Sequence, residues 1–325
     1  MSLFSKKNEG EKAAPPKKLA LVLSGGGPRG ALQVGALRVL IEAGIVPDMI
    51  VGTSIGAING SYLARYGYNL DTLAHLNEVW NSASKGSFAP ADFLLSKLRN
   101  LLPGNKGGSF FEQARAFHAE RGIHPELRFG DLSGPRLFIV TADISHHKLA
   151  IFGENQDDLV LPAMLASSSI PPWMPPSPIA SGLHLDGGAT SNVPIEPAMR
   201  LGATEMIVLD LFHPSEPIDE VPGFAALLDR VFTVMQARHL ELELELARLH
   251  NIPVHLWPLR YKTIVPTWDF SHTRTMMSTG YEQGQRFLAE MRRRQAQEAA
   301  VASPTTESLL AQWRAKVNEW LGDRQ

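Results

Sequence analysis

Short apolar runs alternate along the first third of the chain with stretches whose apolar residues recur at helical spacing. "KLALVLS" (18–24) is compact and rich in Leu and Val, which predicts a buried strand. "ALQVGALRVLIEAG" (31–44) follows as a helix, closed by Gly44. Its charges, Arg38 and Glu42, stand four apart, so almost its whole circumference is apolar and it is expected to be buried. "DMIVGTS" (48–54) predicts a second strand and "IGAINGSYLARYG" (55–67) a second helix. Strand, helix, strand and helix in this order predict a right-handed β-α-β unit on a parallel sheet.

Farther along, residues 70–130 read as mainly helical and amphipathic, broken by the Gly-rich stretch 104–110. Residues 136–153 predict two strands around a polar turn, and 161–170 a short helix of small residues. A proline-rich block follows at 171–188. A helix and a strand are expected over 195–212 and a last strand over 252–259. "LELELELARL" (240–249) alternates like a strand, but Glu and Leu are weak strand formers and the flanks favour helix. The prediction is one helix, apolar on two sides. Residues 307–323 form a separate amphipathic pattern, with Leu309, Leu310, Trp313, Val317, Trp320 and Leu321 on one stripe. The expected organisation is a flexible tail at 1–17, one α/β domain at 18–300, and a linker with an amphipathic helix at 301–325.

Composition narrows the function. Of 325 residues, 44% are hydrophobic, and 31 basic residues face 33 acidic ones. That near-neutral balance gives nucleic acid no electrostatic footprint to meet. The absence of cysteine removes disulfides, thiolate metal sites and a thiol nucleophile. No apolar run approaches the ~18 residues of a membrane span, and the Lys-rich start does not read as a signal peptide. A cytoplasmic protein that can touch a membrane peripherally is the expectation.

Three stretches can carry chemistry. Gly52-Thr53-Ser54-Ile55-Gly56 fits G-x-S-x-G at a strand-to-helix turn. Ser54 is either a helix cap or a nucleophile on a strained elbow, where Gly52 and Gly56 let strand and helix pass closely. "SGGGPRG" (24–30) also matches G-x-G-x-x-G, yet no acidic residue ends the second strand and Pro28 removes a backbone donor. An oxyanion hole drawn from Gly25, Gly26, Gly27, Arg29 and Gly30 is the better reading, because loops after adjacent parallel strands share one sheet edge. The base is open between a late histidine (His213, His250, His255 or His272) and Asp186, which stands before two glycines in "HLDGGATSNVP". "SHHK" (145–148) lacks a third ligand at metal spacing and reads as a solvated turn.

Together, "GGGPRG", "GTSIG" and "DGG" resemble the patatin-like phospholipases, over residues 18–212. The resemblance implies a three-layer α/β/α sandwich with a mostly parallel sheet. It implies a Ser–Asp dyad of Ser54 and Asp186, hydrolysing ester-linked acyl chains of phospholipids or lysophospholipids through an acyl-enzyme. Neither metal nor organic cofactor is implied. Trp173 and Met174, among prolines, either border the acyl entrance or pack rigidly in the core, and the pocket walls are expected from 70–130 and 153–183. The expected partner is lipid at a membrane or micelle surface. The C-terminal helix is a candidate for lipid contact, for docking on the domain or for pairing with a second copy.

Overall fold

The computed structural model describes residues 17–84, 108–171, 174–180, 182–213, 223–263, 265–266, 268–302 and Trp313. Its centre is an eight-stranded sheet: β1 (Leu19–Leu23), β2 (Met49–Thr53), β3 (Arg136–Asp143), β4 (Lys148–Phe152), β5 (Ser177–Ile179), β6 (Gly182–Asp186), β7 (Glu205–Asp210) and β8 (Val254–Pro258). The strands run in the order β5-β6-β3-β2-β1-β7-β8, with β4 also paired to β3. Pairings β3–β2, β2–β1, β1–β7 and β7–β8 are parallel, whereas β4, β5 and β6 join antiparallel.

Alternation along the central strands sorts the core into two halves. Leu21, Leu23, Ile50, Ile139 and Leu209 face one side, under α1 (Gly30–Glu42), α2 (Ile55–Tyr66), α3 (Leu70–Ser82), α4 (Gly108–Ala119) and α5 (Val160–Ser167). Ala20, Val22, Val51, Val140 and Val208 face the other, under α6 (Ile195–Arg200) and α7 (Phe224–Leu249). A last helix, α8 (Thr273–Ala302), lies against α1 on the first side. Helix, sheet and helix make the three expected layers.

Helix α1 is buried as its pattern requires, and Arg38 and Glu42 pair at 2.7 Å on its one exposed strip. The polar Gln33 is fully buried but satisfied: its amide donates to the Ser24 and Leu209 carbonyls, and its oxygen accepts from Asn59. Residues 240–249 are helical. On α7, Leu240, Leu244 and Ala247 pack against the sheet while Leu242 and Leu249 stand exposed, so both apolar sides exist.

Helix α8 runs continuously through Ala302. Its contact with α1 is made by glycines: a Cβ at Gly35 would overlap the Met277 carbonyl, and one at Gly280 would overlap the Leu32 carbonyl. The two backbones therefore touch directly. The amphipathic stripe at 309–321 lies outside the described residues except for the exposed Trp313.

Candidate active site

Strand β3 brings Ser54 and Asp186 together. Its residues Ile139 and Val140 pair with both β2 and β4, which therefore lie on opposite edges. Residues 141–143 pair with both β4 and β6, so β6 shares an edge with β2. The two strands run toward each other along that edge. β2 ends with Thr53 opposite Val140, and β6 ends with Asp186 opposite Thr141.

Between strand and helix, Ser54 adopts φ 54° and ψ −123°, a conformation that costs a non-glycine residue about 1–3 kcal/mol. The surroundings hold it there. Its N–H donates to the Ser167 hydroxyl at 2.8 Å, and that hydroxyl donates to the Val140 carbonyl at 2.7 Å. The flanking glycines are required by proximity: a Cβ at Gly52 would stand 2.7 Å from the Ala57 nitrogen, and one at Gly56 would overlap the Leu23 carbonyl. Ser54 caps nothing with its side chain, so the hydroxyl is left for the site.

Asp186 is buried. Oδ1 accepts the Gly188 N–H at 2.7 Å, while Oδ2 has no partner at hydrogen-bond geometry. Burial pushes the carboxyl up to about 6, partly offset by the Ser54 hydroxyl and then by the Gly188 N–H. The Ser54 hydroxyl thus biases this carboxylate without closing a hydrogen bond to it. Catalytic contacts are often loose before substrate arrives.

The glycine-rich loop lies at the same sheet edge. Of its amides, Gly25 N–H donates to the Asn192 carbonyl, Arg29 N–H to the Gly26 carbonyl, and Gly30 N–H to the Gly27 and Pro28 carbonyls. Those three hold the loop's shape. Gly26 and Gly27 N–H have no partner among the described residues, nor has Ile55 N–H at the start of α2. The expected row of five donors thus narrows to two on the loop, joined by the helix N-terminus. Arg29 donates through Nε to the Gly26 carbonyl at 3.1 Å; burial, then the nearby Arg260, lowers its pKa. Arg260 itself is tied to the Asp210 carboxylate at 2.9 Å.

Beside Ile55 opens an apolar cavity of about 110 Å³. Ile58, Val79, Trp80, Phe117, Leu165 and Met174 are among its walls. Its one histidine, His118, accepts or donates to the Tyr62 hydroxyl at 3.0 Å, and burial depresses its pKa to about 3, so it stays uncharged.

A family profile described as patatin-like phospholipase matches residues 21–199, more than half of the chain. The chain belongs to the patatin-like phospholipase family. It is 31% identical over 196 residues to mouse patatin-like phospholipase domain-containing protein 7, and 31% identical over 201 residues to the Drosophila melanogaster neuropathy target esterase sws. Each match covers 59% of this chain and 13% of the relative, so the chain spans a small part of those proteins. Among solved structures it is similar to VipD from Legionella pneumophila, with TM-score 0.43, 17% identity, and 85% of this chain and 67% of the other covered. The type III effector ExoU gives 0.38 at 18% identity, with 85% and 53% covered.

Within this patatin-like domain none of the four late histidines hydrogen-bonds the Asp186 carboxyl. His255 sits near the start of β8, 2.9 Å from Glu205. His250 caps α7 in solvent, His272 is exposed near Asp269, and His213 follows β7. In the turn at 145–148, Asp143 accepts the Ser145 and His146 N–H groups and the His146 ring. Met174 lines the cavity, and Trp173 lies outside the described residues. Walls come from 70–130 and 153–183 as expected, joined by Ile55 and Ile58 of α2 and by Trp268 and Phe270. Ser167 and Asn192, which hold the elbow and the glycine loop, carried no sequence signal beyond their place in small-residue stretches.

Proposed function

We propose that the protein is a serine lipid acyl hydrolase that cleaves ester-linked fatty acids from phospholipids or lysophospholipids. One observation carries this reading: β2 and β6 end facing each other along β3, which sets the strained Ser54 and the buried Asp186 at adjoining strand ends beside an apolar, uncharged cavity. The acyl chain enters the cavity, which sets the ester carbonyl against Ser54. Asp186 takes the hydroxyl proton as Oγ attacks the carbonyl carbon. Its raised pKa makes it a better base than an ordinary carboxylate would be.

Negative charge then develops on the carbonyl oxygen. On this reading the Gly26, Gly27 and Ile55 N–H groups, which have no partner among the described residues, and the α2 dipole receive it. Collapse of the tetrahedral adduct expels the glyceryl oxygen, which takes the proton from Asp186, and leaves an acyl-Ser54 ester. Water, deprotonated by Asp186, hydrolyses that ester and releases the fatty acid. Each donor of this kind is worth about 3–4 kcal/mol of the barrier.

Release of p-nitrophenol from p-nitrophenyl butyrate, and of fatty acid from phosphatidylcholine and lysophosphatidylcholine vesicles, tests the reading in wild type, Ser54→Ala and Asp186→Ala. Both variants are expected to be folded and inactive, and a fluorophosphonate probe is expected to label wild type but not Ser54→Ala. Full turnover by Asp186→Ala, with loss on replacing a late histidine, would instead assign a Ser-His-Asp triad. Lipid binding without turnover or labelling would make the protein a non-catalytic lipid binder.

A further inference from the structure

Glu243 is buried on the inner face of α7, 8% exposed, and the mechanism above makes no use of it. Its neighbours on that face are apolar: Leu240, Leu244 and Ala247. A residue that only packed the helix on the sheet would be apolar too, because burying a carboxylate is unfavourable. Burial does raise its pKa, to about 7.

Both carboxylate oxygens are committed. Oε1 accepts the Ser191 hydroxyl at 2.7 Å and Oε2 accepts the Glu196 N–H at 2.7 Å. Ser191 and Asn192 form a junction for every part of the site. The Ser191 N–H donates to the Gly187 carbonyl, next to Asp186. Its carbonyl accepts the Thr53 hydroxyl at 2.9 Å, next to Ser54. The Asn192 carbonyl accepts the Gly25 N–H at 3.0 Å, at the base of the glycine loop.

We propose that Glu243 is a positioning residue for the hydrolysis: by clamping Ser191 it fixes base, nucleophile and glycine loop in mutual register. This rests on the Ser54–Asp186 reading. Two bonds of 2.7 Å to groups on either side of residues 192–195 leave this segment little freedom to slide. Without the clamp the Ser191 hydroxyl loses a buried acceptor, and small displacements of catalytic groups cost rate steeply.

The test compares Glu243→Ala, Glu243→Gln, Ser191→Ala and Ser54→Ala on p-nitrophenyl butyrate, with fluorophosphonate labelling rates and thermal midpoints. Glu243→Ala is expected to lose at least ~10-fold in kcat with KM within about twofold, and to label more slowly in proportion. Glu243→Gln is expected to recover most of that loss. With the amide turned so that its oxygen replaces Oε2, it accepts the Glu196 N–H, and its Nε2 can donate to the Ser191 hydroxyl, which both gives and takes hydrogen bonds. Should Glu243→Ala fail to fold, Ser191→Ala removes one contact alone and is expected to lower kcat while folded. A folded Glu243→Ala or Ser191→Ala at wild-type kcat, with Ser54→Ala inactive, overturns the role of Glu243 alone. Turnover by Ser54→Ala, or a wild type that neither turns over nor labels, overturns the hydrolase reading and this inference with it.

Discussion

Gly25 and Asn192 close on each other from opposite sides of the site: the Asn192 carbonyl accepts the Gly25 N–H at 3.0 Å, and a Cβ on Gly25 would overlap the Asn192 side-chain oxygen. The same Cβ would also come within 3.2 Å of the Ser54 Cβ. Gly25→Ala is therefore expected to push the loop off the nucleophile. Ester turnover should fall by at least ~100-fold, the loss of one oxyanion donor, with a small change in thermal midpoint. A Gly25→Ala enzyme with normal kcat would show that the loop's position is immaterial.

In the proposed mechanism the base form of Asp186 is required, so kcat/KM should rise with pH through about 6 and then level. The stability consequence has the opposite sense. A carboxyl raised from 3.8 to about 6 penalises the fold once ionised: no penalty exists below the unfolded value, and it is complete above the folded one. A shift of about two units is worth up to ~3 kcal/mol. Asp186→Asn should thus be inactive yet more stable than wild type at pH 8, with the gap closing toward pH 4. Chemical denaturation at the two pH values measures it; equal gaps at both would contradict the raised pKa.

Ser167 isolates the role of elbow strain. Its hydroxyl is the acceptor for the Ser54 N–H. Ser167→Ala leaves that buried N–H unpaired, at a cost of about 1–3 kcal/mol, and weakens what holds φ at 54°. Circular-dichroism melting and p-nitrophenyl butyrate turnover should both report a loss, the second exceeding the first. Wild-type turnover would mean that packing alone holds the elbow.

Chain-length preference belongs to the cavity. Ile58→Trp fills space among Val79, Phe117 and Met174. It should reduce kcat/KM on p-nitrophenyl octanoate by at least ~10-fold while sparing the acetate, since each excluded methylene forfeits roughly 0.8 kcal/mol of burial. Equal losses on both esters would move the acyl site elsewhere.

Glycine substitutions separate two kinds of requirement. At Gly56 a side chain would collide with the Leu23 carbonyl, whereas Gly44 has φ 71° and open space around it. Gly56→Ala should abolish soluble protein or cost several kcal/mol, and Gly44→Ala only about 1 kcal/mol, the left-handed penalty. Urea midpoints decide between them.

What the sequence made legible was local. Gly52, Ser54 and Gly56 declare themselves because they stand within five residues of one another at a strand-to-helix turn, and the continuous apolar runs of β1 and β2 state their own burial. Helix α8 was harder to read because Gly280 and Gly284, where it meets α1, interrupt a stripe that includes Met276, Tyr281, Leu288 and Met291. Trp268 and Phe270 reach the cavity from an irregular segment with no period to read. Glu243 looked like one more charge in an alternating run, and only the loop folded beneath it gives that charge a partner.

Strand β3 acts as a ruler for the proposed catalytic pair. Thr53 and Asp186 dock opposite its consecutive residues Val140 and Thr141, so their spacing is one backbone step of a third strand. None of the described residues between α2 and β3 takes part in setting it. Insertions there, or a different set of cavity walls, would change which lipid fits and leave the reacting atoms where they are. A fold arranged this way can exchange substrates without rebuilding its chemistry.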